Sequence, residues 1–204
     1  MCPLRPIKRD FEKPSLLWRF EDVLKNLFGE WFNYSSYVSK FKLEGSKKVL
    51  DFGCGGGIGS RRIAKRLSKE GHLTCVDISN FWISKAKKRL KNYENVEFIV
   101  GEITALDIPD SYYDIISIFY VLHDIPPSRR KEMINCLSKK LNEGGRLYIS
   151  EPTKRSHGMT SEEIYRLMSQ AGFIEKTYRK KKSSYTGGFY KNPKGHRSYG
   201  RKVT

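Results

Sequence analysis

The residues with the clearest chemical potential crowd into one turn. Positions 48–54 read Lys-Val-Leu-Asp-Phe-Gly-Cys, and Gly53, Gly55, Gly56, Gly57 and Gly59 then occupy five of seven consecutive positions. Glycine takes positive φ without steric cost and lets a ligand approach the backbone with no Cβ in the way. Two carboxylates frame this turn: Asp51, two positions before the first glycine, and Asp77, which follows the apolar residues Cys75 and Val76. A carboxylate can accept from two neighbouring hydroxyls at once, as a ribose diol requires. The plainer alternative makes Asp77 an acid at a helix N-terminus, stabilised by the helix dipole with no ligand at all. His123 has the chemistry of a general base, because an unperturbed imidazole titrates near pH 6.5. A structural histidine at a strand end is an equal alternative.

The glycine spacing discriminates between ligands. The dinucleotide fingerprint G-x-G-x-x-G needs glycine at position 58 if it starts at Gly53, and Ile58 stands there. Starting at Gly55 puts Ser60 in the third place. Neither register fits a nicotinamide or flavin dinucleotide site.

The elements that must hold these residues alternate between apolar runs and helical patterns, the mark of a parallel sheet with crossover helices. Strands are predicted at 48–54, from 72 to about 78, at 96–101, at 113–121 and at 146–151. Helices are predicted over 58–70, 79–93 and from Pro126 to Leu141, ended by Asn142-Glu143-Gly144-Gly145. The run at 113–121 is almost wholly apolar, as a central strand covered on both faces should be. Thr160 and Glu163 stand at capping-box spacing before a last helix that stops at Gly172. Stretches 173–179 and 185–190 then form an antiparallel hairpin. The fold class is therefore α/β, doubly wound, with a mostly parallel seven-stranded sheet and a C-terminal antiparallel hairpin. Three regions are expected: an N-terminal helical lid over 1–44, the ligand-binding domain over 45–191 and a basic flexible tail over 192–204. In the lid, residues 15–28 are amphipathic, and Trp18 and Phe20 are candidates for a substrate wall, although helix-packing aromatics are the commoner case.

Composition limits the remaining possibilities. The chain has 204 residues, 38% hydrophobic, enough to bury a core. No run approaches the roughly 18 apolar residues of a membrane span, and the N-terminus does not read as a secretory signal. Cys2, Cys54, Cys75 and Cys136 show no paired spacing, so neither a metal site nor a disulfide framework is expected. Reduced thiols in the cytoplasm are the plain reading. A formal net charge of +17 suits an anionic partner such as RNA, but the basic residues are dispersed along helices rather than gathered on one face.

The segment Val-Leu-Asp-Phe-Gly-Cys-Gly-Gly-Gly (49–57) resembles motif I of the class I S-adenosylmethionine-dependent methyltransferases. The resemblance continues in order through Cys-Val-Asp-Ile-Ser (75–79), Gly-Glu-Ile (101–103), the fourth strand with His123, and Leu-Asn-Glu-Gly-Gly-Arg-Leu-Tyr-Ile-Ser-Glu-Pro (141–152). It covers about 47–190 and is closest to the small-molecule, quinone-biosynthesis-type branch. It implies S-adenosyl-L-methionine as cofactor, contacted by Asp51, Gly53, Cys54, Gly55 and Gly57. It further implies Asp77 on the ribose, Ile78 against the adenine, Glu102 and Ile103 near the adenine amino group, and Phe119 beside the sulfonium. Glu102 departs from the aspartate usual there by one methylene. The implied activity is methyl transfer to a small organic acceptor, without a metal. An RNA methyltransferase and a cofactor-binding scaffold protein stay open as alternatives, and oligomeric state is not legible.

Overall fold

The computed structural model describes Lys13, residues 31–154 and residues 157–192. The amphipathic stretch 15–28, with Trp18 and Phe20, and the tail from 193 onward lie outside the described residues.

Seven strands form the sheet: β1 (Lys48–Phe52), β2 (His72–Asp77), β3 (Val96–Val100), β4 (Tyr113–Phe119), β5 (Leu141–Lys154), β6 (Phe173–Lys181) and β7 (Ser184–Lys191). Their spatial order is β3-β2-β1-β4-β5-β7-β6, and a two-residue bridge, His157–Gly158, hangs on the end of β5. All pairs from β3 to β5 are parallel, whereas β7 pairs antiparallel with both β5 and β6. The expected doubly wound sheet with a closing hairpin is the one observed. Its strand order reverses between β1 and β4, where open α/β sheets bind ligands beyond the strand ends.

Two cores follow from the side-chain alternation of buried strands. Leu50, Phe52, Val76, Ile116, Ile118, Leu147 and Ile149 face α4 (Pro127–Lys140) and α5 (Ser161–Gln170), meeting Ile134, Leu137, Ile164 and Met168. Val49, Leu73, Cys75, Ile115 and Tyr148 face the other way. There they meet α1 (Trp31–Val38), α2 (Ile58–Arg66) and α3 (Asn80–Arg89) through Tyr37, Val38, Ile63, Ala64 and Ala86. Phe41 and Leu43, just past α1, belong to this second core.

Several boundaries differ from expectation for identifiable reasons. The helix predicted over 58–70 stops at Arg66, because Leu67 is already extended at φ −72°, ψ 142°. The predicted strand at 113–121 ends at Phe119, because Tyr120 turns to φ +59°. The segment 142–145 is not a terminating loop. Leu141 already pairs with Tyr113, and the register jumps so that Ile115 pairs with Arg146, which makes β5 fourteen residues long with an irregularity inside it. The capping box at Thr160 is half formed. The Thr160 hydroxyl accepts from Glu163 N at 3.0 Å, but the Glu163 carboxylate turns to Arg130 Nη1 at 2.7 Å.

Candidate functional site

The glycine turn joins β1 to α2 with φ of +69° at Gly53, +52° at Gly55 and +77° at Gly57. At Gly53 the reason is crowding: a Cβ there would come 2.4 Å from a methyl carbon of Val121. At Gly55 a Cβ would meet nothing within 4 Å, so the backbone there borders open space. One glycine is set by close packing, and the other leaves room for a ligand.

Asp77 ends β2 beside this turn. Its Oδ2 accepts from Gly55 N at 2.9 Å and its Oδ1 from Ser79 N at 3.0 Å. The carboxylate is thus fixed in orientation by two backbone donors from different segments, while each oxygen can accept a second hydrogen bond. The next residue, Ile78, is 53% exposed, unusual for a large aliphatic side chain. Ser79 caps α3, its hydroxyl accepting from Trp82 N at 3.3 Å, so the helix cap needs Ser79 and not Asp77.

Asp51 lies deeper. It is buried, and Ser60 Oγ donates to its Oδ2 at 2.6 Å. Burial pushes its carboxyl up to about 6. The Ser60 and Ser117 hydroxyls pull it back, and the Asp77 charge adds to the rise. A cleft runs past Asp51, Gly53, Cys54, Ser117 and Phe119 and is roofed by Tyr34 and Tyr37 of α1. The Cys75 side chain and burial push the Cys54 thiol well above its ordinary range. Cys54 is therefore a neutral lining group at physiological pH and no nucleophile.

Glu102 follows β3 and is partly exposed. It pairs with Arg129 and accepts from Thr104 Oγ1 at 3.3 Å. Ile103 is buried in the first core at 1% exposure, and its carbonyl accepts from Cys136 Sγ at 3.6 Å, so its side chain is not available to a ligand. Phe119 ends β4 and stacks on Tyr34, ring centroids 4.0 Å apart.

His123 sits on a short 3-10 turn, Leu122–Asp124. Its Nδ1 lies 2.7 Å from Glu151 Oε2 and its Nε2 lies 3.5 Å from Asp124 Oδ2. Glu151, fully buried, also accepts from Val121 N at 3.0 Å and Leu122 N at 2.8 Å through its other oxygen. The His123 side chain is only 4% exposed.

Sequence reasoning missed three residues of this region. Glu151 follows the run 147–150 in β5, and an acid there names no partner from sequence alone. Tyr37 is buried, its hydroxyl donating to Tyr148 O at 2.8 Å, which pins α1 over β4 and β5. Tyr120 is a non-glycine residue held at positive φ, and backbone strain of this kind cannot be read from residue type. Among the described residues, no cluster of metal-ligating side chains occurs and no helix is long and apolar enough to cross a membrane.

Comparison with known proteins agrees with this geometry. Residues 49–145 match the family model described as a methyltransferase domain. The ubiquinone/menaquinone biosynthesis C-methyltransferase UbiE of Vibrio vulnificus is 27% identical over 111 residues, which cover 53% of this chain and 42% of that protein. The matched segment therefore spans less than half the length of that curated relative. Among solved structures, the 1,6-didemethyltoxoflavin-N1-methyltransferase of Burkholderia thailandensis has a TM-score of 0.69 at 16% identity, covering 85% of this chain and 83% of that one. The [4+2]-cyclase SpnF has a TM-score of 0.70 at 14% identity, covering 79% and 81%. Such distant likenesses show the fold, and a cyclase among them shows that this fold hosts more than one chemistry. Residues 49–145 thus match a methyltransferase domain, on a fold shared with a solved methyltransferase that binds S-adenosylhomocysteine.

Proposed function

We propose that this protein transfers a methyl group from S-adenosyl-L-methionine to a small organic acceptor by in-line displacement. The observation that carries the reading is the Asp77 carboxylate, fixed by Gly55 N and Ser79 N where the open side of Gly55 leaves room. When bound, the cofactor supplies an electrophilic methyl group on a sulfonium.

The residues present fit that cofactor. Asp77 accepts the ribose hydroxyls with oxygens already oriented, which lowers the ordering cost of binding. Ile78 offers an exposed aliphatic face to the adenine. Glu102 and the Ile103 backbone border the same end. The cofactor is cationic at its sulfonium and α-ammonium, and Asp51 at the base of the cleft supplies the complementary carboxylate. Gly53, Gly57 and Cys54 shape the turn, and Phe119 closes the cleft toward the acceptor.

His123 acts as a positioning residue in this reading. Its ring is buried against Glu151, and neither belongs to the residues lining the cleft. The pair braces the turn that carries Tyr120 and Val121, and so the wall of the site. Methyl transfer then relies mainly on proximity and alignment rather than on a strong base.

The test is transfer itself. The full chain, given cofactor with a radiolabelled methyl group and panels of phenols, amines and activated carbon acids, is expected to label a small acceptor and release S-adenosylhomocysteine. Tight cofactor binding with no labelling of any small acceptor, but labelling of a structured RNA, would sink the small-acceptor reading.

A further inference from the structure

Next to the cofactor cleft lies a second one, and the two share Tyr37 and Phe119. Its floor is built by strand register. Ser150 of β5 pairs with Thr186 of β7, which pairs with Arg179 of β6; one step along, Ser184 pairs with Lys181. Cross-strand partners share a face, and period-two alternation puts Arg179 and Lys181 on the same one. Ser150 Oγ and Thr186 Oγ1 are 3.0 Å apart. The sheet face that is apolar under α1 thus becomes hydroxylated and cationic toward its edge. The opposite wall carries Lys40, from the turn after α1, and the aromatic wall is Phe119 stacked on Tyr120 at 4.5 Å.

Three cations line one cleft, and among the described residues no carboxylate lies within 4 Å of any of them. Burial, then the charges of Arg179 and Lys181, hold the Lys40 ammonium below the ordinary lysine range. Edge strands commonly carry lysines that discourage strand pairing. That explanation suits Lys180, which pairs with Glu162 at 3.5 Å. It does not suit Lys40, which belongs to another element and is half-buried against the same cleft. Cations gathered beside an aromatic wall, with no carboxylate partner among the described residues, are the complement of a planar molecule bearing a negative group.

We propose that this second cleft holds the methyl acceptor and that the acceptor carries a carboxylate or phosphate bound by Lys40, Arg179 and Lys181, with its ring against Phe119 and Tyr120. This rests on the methyltransferase reading of the adjoining cleft and names its acceptor class.

The experiment titrates the full chain calorimetrically at near-physiological salt, with and without saturating S-adenosylhomocysteine. The probes are 4-hydroxybenzoate, phenyl phosphate and the neutral 4-hydroxybenzamide. At least one anion is expected to bind about tenfold or more tightly than the amide, the scale of a charge-assisted hydrogen bond. Which anion wins distinguishes carboxylate from phosphate. The double variant Arg179→Gln/Lys181→Gln, altered only at exposed positions, is expected to lose that preference and keep its cofactor affinity. An amide that binds as well as both anions, or a preference that survives the double variant, overturns the proposal. So does a structured RNA that displaces the anionic probes and holds its affinity as salt is raised. Anion preference without S-adenosylhomocysteine binding supports an anion site and overturns the methyltransferase reading. Cofactor binding without anion preference overturns this proposal alone.

Discussion

Asp51 is the residue where function and stability pull in opposite directions, and Asp51→Asn separates them. In the folded chain its carboxyl is raised from 3.8 to about 6, chiefly by burial. The folded state therefore holds this proton more tightly than the unfolded chain does. That contribution to stability is complete below pH 3.8 and is lost as pH rises through about 6. The difference corresponds to roughly 3 kcal/mol at neutral pH. Asn removes the ionisation and keeps an oxygen for the Ser60 hydroxyl, although that bond becomes neutral and weaker by about 1 kcal/mol. The net expectation is a variant about 2 kcal/mol more stable than wild type at pH 8, or about 4–8 °C in melting temperature for a chain of this size. The two proteins should converge as pH falls toward 4. Affinity for S-adenosylhomocysteine should move the other way and weaken about 10- to 100-fold, because a buried carboxylate facing a cationic ligand is gone. Thermal melts of both proteins in ligand-free form from pH 4.5 to 8, with calorimetric titration at pH 8, read both effects. Parallel melting curves across pH, or a variant less stable than wild type at pH 8, would refute the reasoning about Asp51.

Three further outcomes are expected. Asp77→Ala should weaken S-adenosylhomocysteine binding by about 1.5–3 kcal/mol, and unchanged affinity in a calorimetric titration would mean the cofactor lies in another orientation. Gly53→Ala should destabilise the fold by roughly 1–3 kcal/mol through the Val121 contact, with partial recovery in Gly53→Ala/Val121→Ala. Urea unfolding with no recovery in the double variant would assign the cost to backbone conformation alone. His123→Ala should cost roughly 1–3 kcal/mol of stability, because Glu151 loses its ring partner in a buried setting. Transfer should fall less than tenfold in that variant, and a loss of about 10²–10⁴ with folding intact would make His123 the general base.

The sheet was legible because its signals are local and repeated. Apolar runs at regular spacing and a glycine turn after the first strand dictate a doubly wound architecture whatever the acceptor. The structure places Asp51 two residues before the glycine turn on β1 and Asp77 at the end of the neighbouring β2, both positions that chain order and strand pairing specify. The second cleft was not legible. Lys40, Ser150, Arg179 and Thr186 are far apart in sequence, and only the antiparallel register of β5, β7 and β6 puts the last three in one row. Glu151 was equally hidden, since its partners Val121, Leu122 and His123 sit about 30 residues away across a parallel strand pair. The +17 charge does not locate the second cleft either, because it counts dispersed helix-face basic residues together with Lys40, Arg179 and Lys181.

The central claim is that the glycine turn and Asp77 form a site for S-adenosylmethionine and not for a dinucleotide. Calorimetric titration of the full chain with S-adenosylhomocysteine, S-adenosylmethionine and NAD tests it in one series. Saturable one-to-one binding of the first two, with NAD binding at least about 100-fold more weakly, is the predicted result. Tight NAD binding with no heat from S-adenosylhomocysteine would contradict it.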